Sequence, residues 1–166
     1  MVSDSERTEY YRRLFEVIDG LWFMMVEKKL GFEEALETDV EVWGVVPKIQ
    51  ARKIRELAGI EEKGTAQAKK ALKFKFDIEG FDYEMNDEGN GISIKINRCP
   101  WYEIMKKSGR AELAEKVGRS ICTTEYPVFI KEYVDGANFS VKSYLCSGRD
   151  HCEMEIGFDG EDSRFD

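Results

Sequence analysis

The chain has 166 residues, 25 Lys and Arg against 33 Asp and Glu, and a net charge of −8, enough for one ordinary domain that needs no disulfide staple. Excess negative charge repels phosphate backbones, so composition argues against nucleic acid as a partner. The longest apolar run, Leu21 to Val26, is far too short to enter and cross a bilayer, and no leader-like pattern opens the chain, so a cytoplasmic protein with reduced thiols is expected.

Ser3 and Glu6 have capping-box spacing, and Tyr11, Leu14, Phe15, Ile18, Leu21, Trp22, Met25 and Val26 follow at steps of three and four, which predicts a long amphipathic helix stopped by Gly31. A second helical stretch runs from Phe32 to about Leu57, and Pro47 must either divide it into two helices or bend one. Thr65 is placed to cap a third helix. The alternation of Leu72, Phe74, Phe76 and Ile78 predicts that it gives way to extended chain near Phe74.

Phe81, Tyr83 and Met85 alternate opposite Ile92, Ile94 and Ile96 across an Asn-, Asp- and Gly-rich segment, the pattern of a β-hairpin. Pro100 and Gly109 bracket a short helix, and a further helical region extends from Ala111 to about Val134 with an interruption near Pro127. A closing hairpin with its loop at Ser147 to Asp150 would pair Leu145 with Cys152, Val141 with Ile156 and Phe139 with Phe158, leaving Lys142 to meet Glu155 on the other face. This order predicts an α+β fold: an antiparallel sheet built from two hairpins and packed on one face by several helices. It reads as one domain over 1–158, followed by an acidic tail, 159–166, that is expected to fray.

The chemistry-bearing residues are chiefly cysteines. Cys99 follows a strand and precedes a proline-started helix whose free amides could lower a thiol's pKa, Cys122 lies in a helix, and Cys152 lies on the apolar face of the last hairpin. In that register Cys146 falls with His151 on the opposite face. Cys99, Cys122 and Cys152 could hold zinc or iron with a fourth ligand from His151, Glu125, Cys146 or water, although their spacing matches no recognised metal motif. Alternatively Cys99 or Cys122 could act as a nucleophile with Glu125 transferring the proton, or the thiols could simply pack as small hydrophobes. Trp22, Trp43, Tyr83 and Trp101 are candidates to surround an apolar small-molecule ligand.

The stretch Arg98 to Phe158, with Cys99-Pro100-Trp101, Val117-Gly118, Cys122, Glu125-Tyr126, Phe129, Leu145, Gly148, Asp150 and Cys152-Glu153, resembles small prokaryotic proteins of the L-2-amino-thiazoline-4-carboxylic acid hydrolase-like family. Leu21-Trp22, Glu27, Gly31-Phe32-Glu33, Ala35-Leu36, Asp39 and Val42-Trp43 resemble the front half of an uncharacterised branch of it. That resemblance implies hydrolysis of a carbon-nitrogen bond in a cyclic, amidine-like thiazoline. The Gly148, Cys152, Glu153 ending is also similar to that of vinyl-reductase-associated ligand-binding domains, which implies helices and an antiparallel sheet around an apolar pocket. Three readings follow: a hydrolase with a cysteine-lined site, a non-enzymatic sensor for a metal or an apolar ligand, and an interaction domain that forms a homodimer through its long helices.

Overall fold

Ser3 opens the first helix, α1 (Asp4–Leu30), with the reciprocal bonds its spacing predicts. The Glu6 amide donates to Ser3 Oγ at 3.2 Å and the Ser3 amide donates to the Glu6 carboxylate at 2.8 Å. Gly31, at a φ of 102° that disfavours a side chain, ends the helix and returns its amide to the Glu27 carbonyl at 2.8 Å. The computed structural model describes residues 1–158, and the acidic tail 159–166 lies outside them. The chain divides into two compact units, Met1–Glu41 and a second that begins at Val42. The first holds α1 and most of α2 (Phe32–Trp43), and no residue of α1 is buried.

In the second unit Pro47 stands in the first turn of α3 (Val46–Ala58), where a missing amide breaks no bond. Two helices, rather than one bent helix, therefore occupy the stretch. Gly64, not Thr65, takes the capping position of α4 (Thr65–Glu79), and the helix does not turn into strand at Phe74 but continues to Gly80, whose φ of 75° stops it. The reason is packing: Ala68, Leu72 and Phe76 fall one helical turn apart and are all fully buried, whereas Ile78 is 57% exposed. The expected break at Pro127 is likewise absent, since α6 (Ala114–Lys131) runs straight through it. Between α4 and α6 lies α5 (Pro100–Lys107), begun by its proline as predicted.

The strands are β1 (Asp82–Asp87), β2 (Gly91–Arg98), β3 (Ala137–Ser143) and β4 (Cys152–Phe158), ordered β1-β2-β4-β3 and antiparallel throughout. The fold is α+β, two hairpins joined side by side with helices on one face of the sheet. Tyr83 pairs with Ile96 and Met85 with Ile94, as the alternation requires. In the closing hairpin the parity holds but the register does not. Phe139 meets Ile156 and Val141 meets Met154, two residues from the expected pairing, because a bulge after Val141 and a 3-10 turn at Leu145–Ser147 lengthen the connection. Lys142 still reaches Glu155, at 2.9 Å.

Ile92, Ile94, Ile96, Met154, Ile156 and Phe158 supply the buried face of the sheet, and Leu72, Phe76, Phe129 and Ile130 cover it from α4 and α6. Tyr133 joins α6 to α3: its hydroxyl donates to the Ala51 carbonyl at 2.7 Å, its carbonyl accepts the Gly64 amide at 2.8 Å, and the Arg55 guanidinium lies 5.1 Å from its ring centre. Among the described residues no helix is long and apolar enough to cross a membrane.

Candidate functional site

Toward the β2–α5 corner the helices stand off the sheet and leave a cavity of about 140 Å³. Ile96, Val141, Cys152 and Met154 form its sheet wall, and α5 contributes Trp101, Tyr102, Ile104 and Met105. From α6 come Ala114, Val117, Gly118, Ile121, Cys122 and Glu125, which recur at steps of three and four and so lie on one helical face. Trp43 closes one side, its ring 5.7 Å from that of Trp101 in an edge-on arrangement.

All four cysteines line this space. Cys99, Cys122 and Cys152 converge there, as their positions suggested, and Cys146 joins them, which corrects its expected place on the opposite face with His151. The 3-10 turn rotates Cys146 out of strand alternation and brings its sulfur within 3.2 Å of where a β-carbon on Gly118 would stand. The missing side chain at Gly118 is what admits it. Cys152 Sγ accepts the Leu145 amide at 3.2 Å and so pins the turn to β4.

The thiols are protonated, not activated. Burial pushes Cys99 up to about 12, and the amides of Tyr102 and Trp101 at the start of α5 pull back only weakly. This corrects the expectation that the helix start would lower its pKa: loss of water outweighs a few backbone dipoles. Burial, followed by the charge of Glu125, lifts Cys122 well above the ordinary thiol value. Burial also carries Cys146 to about 11 and raises Cys152.

Glu125 is 6% exposed and receives Lys75 Nζ at 2.7 Å. Lys75, itself 1% exposed, also binds Glu79 at 2.5 Å and donates to Gln50 at 3.1 Å. Burial alone would discharge the lysine, but the attraction of Glu125 and Glu79 holds its pKa above the ordinary value. Burial, despite Lys75 and reinforced by the charge of Glu125, raises Glu79. Glu125 is thus bound to a fixed cation.

Of the four aromatic candidates, Trp43 and Trp101 line the cavity and the other two do not. Tyr83 lies elsewhere, its hydroxyl donating to Asp77 at 2.8 Å and its ring 5.0 Å from Phe76. Trp22, on α1 of the first unit, is 64% exposed. Sequence reasoning missed Tyr126 and Tyr144 as cavity residues; the helical step from Cys122 could have found the first, but nothing local marks the second.

Among the described residues no group of three or more His, Cys, Asp or Glu side chains is placed to hold a metal ion. The zinc or iron site expected from Cys99, Cys122 and Cys152 is therefore corrected: the thiols share a cavity without forming a coordination shell.

The fold is similar to that of a solved trafficking protein. The crystal structure of a trafficking protein particle complex subunit 3 from Naegleria fowleri, covalently bound to palmitic acid, matches with a TM-score of 0.59, covering 92% of this chain and 97% of that one at 12% sequence identity. By sequence the chain belongs to the family of unknown function DUF6125, whose model matches residues 9–154. No curated protein matches it in sequence.

These findings overturn the resemblance to thiazoline hydrolases, and with it the weaker one to vinyl-reductase-associated domains. The Cys99-Pro100-Trp101 motif is a strand-to-helix corner with proline in the first helical turn, and Cys152 begins a strand. Carbon-nitrogen hydrolysis, and the metal-binding sensor set against it, give way to a fold shared with a trafficking-complex subunit.

Proposed function

We propose that this chain is a non-catalytic subunit of a trafficking-type protein assembly and shelters an acyl chain in the cavity between its sheet and α5–α6. The cavity carries this reading: about 140 Å³ walled by hydrocarbon, rings and protonated thiols, with Glu125 as the charged exception. A dry apolar cavity of about 150 Å³ accepts benzene, so the space as it stands seats roughly six carbons. A longer chain must part the rim, where Trp101, Ile104, Val117 and Leu145 are only half-buried. The trafficking subunit of the same fold holds palmitate covalently. Here the high thiol pKa values favour a chain held without a thioester, because the thiolate is the attacking species.

The first unit supports assembly. Tyr11, Ile18, Trp22 and Met25 lie along α1 at steps of seven, four and three, and each is about half exposed or more. A seven-residue apolar repeat on a helix with no buried residue suits pairing with a helix of another subunit.

Native mass spectrometry and tryptophan fluorescence with saturated fatty acids of six to sixteen carbons test the ligand. Each added methylene should tighten binding by about fourfold, equivalent to about 0.8 kcal/mol, until the cavity is full, while the denatured mass stays that of the bare chain. Absence of binding at every length would refute the acyl reading. For assembly, the chain in native extract should migrate well above its 19.2 kDa, and Ile18→Glu with Trp22→Glu should release it. A monomer in untreated extract would refute it.

A further inference from the structure

We infer that Glu125 decides which end of a ligand reaches the inner wall: the cavity admits the uncharged end of an alkyl chain and rejects an anionic one. The inference rests on the acyl-chain reading above and names the polarity of its ligand. Its basis is the placement of charge. Glu125 belongs to the cavity wall, whereas its partner Lys75 does not. The occupant therefore meets the negative end of the ion pair.

The lysine cannot turn to serve a ligand. Its three donors are engaged by Glu125 at 2.7 Å, Glu79 at 2.5 Å and Gln50 at 3.1 Å, and Gln50 Nε2 donates in turn to Glu79 at 3.2 Å. Two carboxylates already share this one cation, and burial raises the Glu79 carboxyl, as expected where negative charge is in surplus. A further carboxylate entering from the cavity would meet no cation among the residues that line it. The four thiols offer no positive charge either, since a cysteine is neutral when protonated and negative when ionised. A fatty acid must therefore enter methyl-first with its head at the half-buried rim, and a chain charged at both ends is excluded.

Three probes built on a ten-carbon acid chain separate the outcomes: decanoate, decanedioate, and the monomethyl ester of decanedioate, which has one neutral end. Wild-type protein should bind decanoate and the monoester within about threefold of each other and the diacid at least tenfold more weakly. Glu125→Gln removes the wall's charge and frees a donor of Lys75, so diacid affinity should rise at least tenfold while decanoate stays within threefold. Equal binding of diacid and monoester by wild type would overturn the inference, as would a diacid affinity untouched by Glu125→Gln. The wild-type comparison decides even if the variant does not fold. Failure of decanoate itself to bind would instead refute the acyl reading, and this inference with it.

Discussion

Lys75→Met removes the cation on which two carboxylates depend, Glu125 buried and Glu79 partly buried. In the folded protein Lys75 Nζ lies 2.7 Å from Glu125 and 2.5 Å from Glu79 with almost no exposure. Methionine fills similar volume, so the loss is chiefly electrostatic. Breaking a buried pair while leaving its partner charged costs about 3–5 kcal/mol, and in a chain of this size each kcal/mol lowers Tm by about 2–4 °C. Urea unfolding at pH 8, followed by tryptophan fluorescence, should thus show a loss of about 3 kcal/mol or more.

The acid limb gives an independent check. Without Lys75 the Glu79 carboxyl, which burial already raises, also loses the attraction that opposes that rise, and a carboxyl whose folded pKa exceeds its unfolded value contributes stability below the unfolded pKa that is lost as pH rises through the folded one. The variant's deficit should shrink as pH falls from 8 toward 4.5. Lys75→Met combined with Glu125→Gln should recover at least half of it. A loss under about 1 kcal/mol at pH 8, or a deficit independent of pH, would refute the reasoning.

Gly91→Ala should destabilise by about 1–3 kcal/mol in denaturant melts, because the new β-carbon would stand 2.6 Å from the Ile156 carbonyl oxygen of the paired strand, whereas Gly157→Ala, whose nearest neighbour is 4.0 Å away, should cost less. Alkaline pH should unfold the protein: Cys99 and Cys146, raised to about 12 and about 11, favour folding fully below the ordinary thiol value, and each withdraws up to about 1.4 kcal/mol per pH unit as pH climbs from there to its folded pKa. Circular dichroism melts from pH 8 to 11 measure this, and an unchanged midpoint would contradict it. At pH 7 the four thiols should react with a soluble disulfide reagent at least tenfold more slowly than in urea-unfolded protein, with half of them reacting at the unfolded rate as the contrary result.

Much of the secondary structure was legible from short-range chemistry. The Ser3–Glu6 box, the proline start of α5 and the β1–β2 pairing each depend on a few adjacent residues, and each stands as its pattern predicts. Errors arose where one pattern served two periods. Leu72 and Phe76 fit both a strand alternation and a helical turn, and only burial against the sheet chose the helix. The convergence of Cys99, Cys122 and Cys152 was visible from strand parity and helix phase, but the chemistry assigned to it was not, since a thiol's reactivity depends on how much water surrounds it.

Sequence alone therefore determined the fold class, the hairpin faces and most helix ends, because propensity, capping and alternation act over a few residues. Tertiary structure decided the rest: the two-residue shift of the last hairpin, the arrival of Cys146 beside Gly118, and the pairing of Glu125 with Lys75. These join groups far apart in the chain, and the low-dielectric surroundings that fix their charge exist only once the helices have closed over the sheet.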